Sequence, residues 1–180
     1  MSQLALDACA ALHAKQTGSL AVLDCFIEHG MTPVVSQGVY GEAVTMTLSA
    51  WLGAHGVEPQ RVPRQQTNAV RNECDRRRMP GKKDLELLAL ARERDVPVLT
   101  HDGAATDVTR RIGLLAVDLV DIIAFAHDQG WVDEPRLAAL SQRLDDFAWH
   151  AQDWRGDVLR TISGRPRFDR TAAALAARLT

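Results

Sequence analysis

The chain has 180 residues, a formal net charge of −2, 46% hydrophobic residues and 5% aromatic residues. This length suits one domain with an appended piece, so we expect a domain over residues 1–132 and a C-terminal helical extension over 133–180 that packs on it. The weak net charge excludes a global field that attracts nucleic acid, and any such attraction must be local.

The cysteines and histidines exclude two further classes of protein. Cys9, Cys25 and Cys74 are too scattered for a disulfide framework or a Cys-x-x-Cys metal site, and no two histidines are spaced as a His-x-x-x-His zinc site requires. Free cysteines fit a reducing compartment, so we expect a cytoplasmic protein. The N-terminus lacks the pattern of a signal peptide, and no stretch approaches the roughly 20 apolar residues of a membrane span. We therefore expect no association with membranes.

Apolar strands alternate with helices along the chain, which predicts an α/β three-layer sandwich with a central parallel β-sheet flanked by helices. The predicted strands are Leu4–Leu6, Thr32–Ser36, Val96–Thr100 and Leu114–Val117. Helices are predicted over residues 8–30 (with a break at 17–18), 39–55, 64–78, 84–95, 106–112 and 119–129, and residues 58–63 are predicted to be a linker.

The extension begins with a helix-start signal, in which Asp133 precedes Glu134 and Pro135. A stripe of apolar residues at helical spacing follows, and we expect it to seal the core: Leu137, Leu140, Leu144 and Phe147. Trp149, Trp154 and a predicted helix over 169–179 form either a docking surface or a tail that packs back on its own domain.

Four acidic residues occupy comparable places at strand ends and helix starts. Asp7 ends the first strand, Glu42 lies in the first turn of the helix after the second strand, Asp84 opens the helix before the third strand, and Asp102 follows that strand. Such positions meet at the carboxyl edge of a parallel sheet, where ligands bind. Converging carboxylates repel one another, and a hard cation such as Mg²⁺ or Mn²⁺ relieves that repulsion. Such an ion can also lower the pKa of a bound water and stabilise charge on a phosphoryl group.

Each acid also has a structural explanation, because Asp and Glu at helix starts complement the helix dipole. Glu42 and Asp84 can be helix caps, and Asp107 is interpreted as the cap of the helix over 106–112 rather than as a fifth ligand. Thr100 can hydrogen-bond a neighbouring carboxylate or a phosphate. His101 is expected on the opposite face of the strand from Asp102, as a surface histidine.

A local excess of positive charge lies next to Asp84. Between Arg61 and Lys83 there are eight Lys or Arg residues and two acidic residues. A nuclease with an acidic site needs positive flanks to hold the phosphate backbone, whereas a charge run in general is a solvated helix face. The residues that we expect to bind nucleic acid are Arg76, Arg77, Arg78, Lys82 and Lys83.

The ordered acids resemble the four acidic positions of the PIN domain. The segment Val34-Val35-Ser36-x-x-Val39-Tyr40-x-Glu42 resembles its second-strand motif, and Pro97-Val98-Leu99-Thr100-x-Asp102 resembles its last acidic motif. The likeness extends over residues 4–130. Cys9 close after Asp7, the long segment over 58–80 and the tail beyond residue 133 depart from the family pattern.

The resemblance implies a metal-dependent ribonuclease, a hydrolase that is often the toxin of a toxin–antitoxin pair. It implies Mg²⁺ or Mn²⁺ as cofactor, RNA as substrate, an antitoxin as a possible partner, and products with a 5′-phosphate and a 3′-hydroxyl. We also expect a homo-oligomer. The implied metal ligands are Asp7, Glu42, Asp84 and Asp102, and Thr100 would orient Asp102 or the scissile phosphate. The alternative is a catalytically silent PIN-like module that binds RNA or protein. The glycine-rich motifs of dinucleotide-binding and phosphate-loop proteins do not occur in the sequence.

Overall fold

The strands of this protein form one parallel sheet. The computed structural model describes residues 2–75, 77–146 and 172–177. The strands are β1 (Ser2–Leu6), β2 (Met31–Ser36), β3 (Pro59–Gln60), β4 (Val98–Leu99) and β5 (Ala116–Val117), and their order in the sheet is β3-β2-β1-β4-β5. Helices surround the sheet, so the predicted α/β sandwich with a central parallel sheet is confirmed.

Helices fill the connections between the strands, as parallel pairing requires. They are α1 (Ala8–Gln16), α2 (Leu20–Glu28), α3 (Gln37–Thr45), α4 (Ser49–Ala54), α5 (Arg64–Asn72), α6 (Lys82–Arg94), α7 (Gly103–Arg111), α8 (Leu119–Asp128) and α9 (Glu134–Asp146). Helix α2 packs on α8, which packs on α9, and α6 packs between α5 and α7.

The direction in which the sheet grows reverses beside β1. The chain places β2 and then β3 on one side of β1, and it places β4 and then β5 on the other side. In the pair across this switch, Leu6 lies beside Leu99, and the Asp7 amide donates to the Leu99 carbonyl over 3.1 Å. In open α/β sheets, ligands bind at such a switch point, outside the carboxyl ends of the strands.

The core explains why the central strands are continuous apolar runs. Both faces of the sheet are covered, so neighbouring residues such as Leu4 and Ala5 are both buried although they point to opposite faces. The first eight residues of helix α8 are all buried. The centre of its Phe125 ring lies 5.5 Å from that of Phe26 in α2. Leucine, valine and alanine provide most of the remaining core.

The predicted linker over residues 58–63 contains a strand that the sequence did not reveal. Strand β3 pairs Pro59 with Val35 and Gln60 with Ser36 at one edge of the sheet. Proline is tolerated at a sheet edge, where its missing N–H breaks no ladder bond. A strand of two residues is too short to show a hydrophobic period, so the prediction was wrong at this point.

The predicted helix over residues 39–55 is two helices in the structure. Helix α3 begins at Gln37 because the Ser36 hydroxyl accepts from the Val39 amide over 3.3 Å. The helix ends before Thr47, which has a φ of 62° and whose carbonyl accepts from the Lys15 ammonium over 2.9 Å. Glu42 therefore lies in the middle of α3, and its prediction as a first-turn residue was wrong.

Two helices that flank the site begin earlier than predicted. Helix α6 begins at Lys82, so Asp84 is its third residue rather than its first. Helix α7 begins at Gly103 with Asp102 as its N-cap, and Asp107 lies inside it. The interpretation of Asp107 as a helix cap was therefore wrong, and its carboxylate instead pairs with Arg78 over 3.1 Å.

The predicted start of the extension is confirmed. The Asp133 carboxylate accepts from the Arg136 amide over 2.9 Å, and the Arg136 guanidinium donates to the Ala21 carbonyl of α2 over 3.2 Å. Leu137 and Leu140 are buried, residues 172–177 are helical, and Leu175 is buried. The side chain of Leu144, and Phe147, Trp149 and Trp154, lie outside the described residues, as does most of the predicted docking surface.

Within the described ranges, the helices are too short or too polar to cross a membrane.

Candidate functional site

The centre of the candidate site is a hydrogen-bonded link between the ends of β1 and β4. Asp7 is 5% exposed, and its Oδ2 accepts from the Thr100 hydroxyl over 3.1 Å. Its Oδ1 accepts from the Cys9 amide over 3.4 Å at the start of α1. The Thr100 oxygen in turn accepts from the Asp102 amide over 3.1 Å. The buried acid thus has the partner that burial requires, and that partner is Thr100.

Asp84 and Asp102 each serve a helix start as well as the site. Asp84 Oδ2 accepts from the Gly81 amide over 2.9 Å, and Asp102 Oδ1 accepts from the Ala105 amide over 2.7 Å. The capping explanation therefore holds for both residues. It does not exclude a second role, because the helix uses one carboxylate oxygen while the negative charge still acts on the neighbouring acids.

Burial, and then repulsion by neighbouring acids, raises the pKa values of two of these carboxyls. Burial, followed by the charge of Asp84, raises the pKa of Asp7 to about 6, against the smaller lowering effect of its hydrogen bonds from Thr100 and Cys9. Burial also raises the pKa of Asp84, with further contributions from the charges of Asp102 and Glu42, while the Gly81 amide and Lys83 lower it. These effects are those expected of acids that converge on one edge of the sheet.

Cys9 lies next to this acidic cluster, a placement that was not predicted. Partial burial of its sulfur raises its pKa to about 11, and the charges of the four acids add to the shift, first that of Asp7. The thiol is therefore neutral at physiological pH, and it stands within the field of all four carboxylates. The available signal was its position two residues after Asp7, within the first turn of α1.

Glu42 approaches the cluster from α3 and forms an ion pair with a neighbouring lysine. Its carboxylate lies 3.3 Å from the ammonium group of Lys83 in the first turn of α6. The neighbouring Lys82 lies 4.0 Å from Glu86, one turn along the same helix. Lys83 is thus next to both Glu42 and Asp84, and it offsets part of the negative charge of the site.

The predicted metal ligands do not surround a common metal position in the described residues. Within the described residues, no three or more His, Cys, Asp or Glu side chains are arranged to close around a metal ion. Mg²⁺ prefers oxygen ligands, usually keeps several waters and needs one or two carboxylates. Carboxylate oxygens are the donor type that Mg²⁺ or Mn²⁺ takes, but the described arrangement does not bring three of these acids around one ion.

Of the residues predicted to bind nucleic acid, Arg77 and Arg78 lie in the loop after α5, and Lys82 and Lys83 begin α6. Helix α5 ends at Asn72, so the predicted helix over residues 64–78 was too long. Arg78 pairs with Asp107, and the Arg77 amide donates to Asp75 over 2.9 Å. Both arginines are exposed, whereas Arg76 lies outside the described residues.

His101 is not the surface histidine that strand alternation predicted. Its ring lies 5.1 Å from that of His13, and its Nε2 accepts from the Leu119 amide over 3.3 Å. Burial, together with the smaller effect of His13, lowers its pKa to about 4, while the charge of Asp118 acts in the opposite direction. The chain leaves the sheet after Leu99, so the alternation of a strand no longer applies at this residue.

Comparison with known proteins adds no relative, because no family model, curated protein or solved structure matches the chain. The role of these residues must therefore be judged from their own geometry and charge.

Proposed function

We propose that this protein is a divalent-metal-dependent endoribonuclease, a hydrolase that cleaves phosphodiester bonds in RNA, with a PIN-like site. The observation that carries the proposal is the Asp7 carboxyl at the topological switch, which accepts a hydrogen bond from Thr100 and whose pKa is raised to about 6 by burial and then by the charge of Asp84. A nearby cation would favour the ionised form of this group and would offset its repulsion by the other acids. A perturbed acid in the place where α/β sheets bind ligands is a strong candidate for function.

The proposed roles follow from the chemistry of each side chain. Asp7, Glu42, Asp84 and Asp102 would hold Mg²⁺ or Mn²⁺, and the ion would supply Lewis-acid stabilisation of charge on the scissile phosphate. Thr100 fixes the orientation of Asp7 and ties it to the backbone of Asp102.

The proposed partners follow from the resemblance and from the local charge. RNA would be held near the site by the phosphate-binding residues Arg76, Arg77, Arg78, Lys82 and Lys83. We further propose a cytoplasmic toxin that is paired with an antitoxin protein and that forms a homo-oligomer.

One observation favours the second candidate, a catalytically silent PIN-like module that binds RNA or protein. Lys83 lies 3.3 Å from Glu42, where an ammonium group offsets a carboxylate charge without a metal ion. In an active enzyme this ion pair would have to coexist with, or yield to, the divalent ion.

The deciding experiment is cleavage of a 5′-labelled single-stranded RNA by purified protein with Mg²⁺, with Mn²⁺ and with EDTA. We expect cleavage that requires the metal, leaves 5′-phosphate and 3′-hydroxyl ends, and is lost in Asp7→Asn. Asp128→Asn, which changes an exposed acid at the end of α8, is the matched control and should retain activity. Products with 2′,3′-cyclic phosphate ends, or full activity of Asp7→Asn, would contradict the proposal.

A further inference from the structure

A basic cleft lies between α5 and the first two turns of α6. Its volume is about 430 Å³. Its polar lining combines three cationic side chains with a hydroxyl, an amide and one carboxylate: Arg64, Arg71, Lys82, Thr67, Asn68 and Glu86. The cleft is therefore a concave surface with an excess of positive charge in a protein whose overall charge is negative.

The residues that α5 contributes to this cleft form one stripe of the helix. Arg64, Thr67, Asn68 and Arg71 follow the i, i+3, i+4, i+7 spacing, which places them on the same face. The two arginines are attached about 10 Å apart along the helix axis. This separation suits a run of phosphates rather than a single small anion, and Asn68 between them adds a neutral hydrogen-bond donor.

Arg64 and Arg71 of the cleft differ in their ion pairing from Arg78, which lies in the loop after α5. Arg78 pairs with Asp107 and Lys83 pairs with Glu42, whereas neither Arg64 nor Arg71 forms an ion pair within 4.0 Å among the described residues. A guanidinium group can bind a phosphate through two parallel hydrogen bonds. These two side chains are therefore available to a ligand.

Helix α6 contributes residues to both the cleft and the candidate site. Lys82 lines the cleft, and Asp84 of the site is two residues further along the helix, on a different face. Glu86, at the other side of the cleft, approaches α3 so closely that a Cβ on Gly38 would lie 2.6 Å from its Oε2. Helix α6 therefore lines one side of the cleft and also packs against α3, which carries Glu42 of the site.

We propose that this cleft binds the phosphate backbone of a single-stranded RNA on its way to the acidic site, with Arg64, Arg71 and Lys82 as the phosphate contacts. The inference rests on the proposed nuclease function, because it names where that site holds its substrate. The contacts carry charge and few base-reading groups, so the cleft binds RNA without sequence preference. Glu86 opposes binding and limits how tightly the strand is retained.

The test measures binding of fluorescein-labelled single-stranded polyuridine by an Asp7→Asn protein across a salt series from about 50 to about 200 mM. Each lost phosphate contact should reduce the log–log salt slope by about 0.7. We expect this reduction for Arg71→Gln and about twice as much for the Arg64→Gln/Arg71→Gln pair. Glu86→Gln should instead tighten binding, which mere damage to the fold would not do.

The matched control is Arg110→Gln, which removes one exposed positive charge from α7, outside the cleft. Equal salt slopes for Arg71→Gln and Arg110→Gln, with unchanged melting temperatures, would overturn the proposal that the cleft binds RNA. Displacement of the RNA by inorganic phosphate or by polyglutamate of equal charge would also overturn it, since the cleft would then be a simple anion site or a site for an acidic protein.

The outcome separates the two proposals. If the arginine variants reduce the salt slope but the wild type never cleaves RNA, the nuclease function is overturned and the proposal that the cleft binds RNA is supported. Metal-dependent cleavage by the wild type, with no slope change in the arginine variants, would overturn the cleft alone.

Discussion

Thr100 donates a hydrogen bond to Asp7 over 3.1 Å, and this bond ties the end of β4 to the end of β1 across the switch point of the sheet. The hydroxyl uses its one proton in the hydrogen bond to Asp7, and its oxygen accepts a hydrogen bond from the Asp102 amide. One side chain therefore sets the relative positions of two predicted metal ligands. Residues of this kind, which orient ligands without binding the metal, strongly affect metal affinity.

Replacing Thr100 tests this positioning role. Thr100→Val keeps the shape of the side chain but leaves the Asp7 carboxylate without its buried donor, which we expect to destabilise the protein by about 1–3 kcal/mol. Mn²⁺ affinity should fall by about 10–100-fold. Thr100→Ser keeps the hydroxyl and should restore most of the affinity. Chemical denaturation and calorimetric titration with Mn²⁺ measure the two effects, and equal metal affinities in both variants would exclude a role for the hydroxyl.

The raised pKa of Asp7 predicts that the metal-free protein loses stability as the pH rises. The carboxyl has a folded-state pKa of about 6 and an ordinary value of 3.8, so the folded state binds the proton more tightly. Stability is therefore lost as the pH rises from about 4 to about 6. Asp7→Asn removes this loss, and in EDTA we expect the variant to exceed the wild type by on the order of 1–3 kcal/mol at about pH 7.5, with no advantage at about pH 4.

Addition of a divalent ion should reverse that order. A ligand that binds only the folded state stabilises it, so the wild type should gain stability with Mn²⁺ and Asp7→Asn should gain little. Denaturation with Mn²⁺ and with EDTA measures the difference. Asp128→Asn is the control, because this exposed acid is not part of the cluster. An Asp7→Asn protein less stable than the wild type in EDTA at every pH would show that Asp7 is structural.

Local patterns predicted the parts of the site that depend on local geometry. Asp7 and Asp102 were found because each follows a short apolar run, and the ends of parallel strands meet at one edge of the sheet. The predicted place of Glu42 within its helix was wrong because the start of α3 depends on one hydroxyl, that of Ser36. Contacts between distant residues left no local trace, and the Lys83–Glu42 pair was therefore not predicted.

The same reasoning explains the error at His101. Strand alternation predicts the direction of a side chain only while the chain remains in the sheet, and β4 ends at Leu99. Beyond it the ring packs against His13 of α1, an arrangement that depends on how α1 returns to the sheet. The resulting burial lowers the pKa of His101 to about 4 and gives the protein an acid sensitivity that the sequence did not indicate.

His101 should make the protein less stable at acidic pH. The folded-state pKa of about 4 lies below the ordinary value of 6.5, so the unfolded chain binds the proton more tightly, and stability is lost as the pH falls from 6.5 to about 4. Protonation of His101 at Nε2 would also place an N–H opposite the Leu119 N–H, from which Nε2 now accepts a hydrogen bond. We expect His101→Gln, whose carbonyl can accept the same bond, to remove about 2 kcal/mol of the loss.

The measurement is the free energy of unfolding of wild type and His101→Gln between about pH 7.5 and about pH 4.5. Asp7 changes stability in the opposite direction over much of this range, so the comparison must be made between variants and not on the wild type alone. His29→Gln, which replaces an exposed histidine, is the control. Parallel curves for wild type and His101→Gln would mean that the buried imidazole does not govern acid sensitivity.

Lys83 decides between an active and a silent site. Its ammonium lies 3.3 Å from Glu42 and lowers the pKa of Asp84, so it competes with a divalent ion for the same negative charge. A partly exposed ion pair of this kind is worth about 0–1 kcal/mol. Lys83→Gln should therefore strengthen Mn²⁺ binding by up to about fivefold and lower stability by less than about 1 kcal/mol. Calorimetric titration without RNA measures the affinity. Lys82→Gln, which removes the same charge next to Glu86 instead, is the matched control and should change Mn²⁺ affinity less. In a silent module, neither the wild type nor Lys83→Gln would bind Mn²⁺. That result would mean that the acids are not a metal site and that the protein is an interaction module with a buried acid cluster.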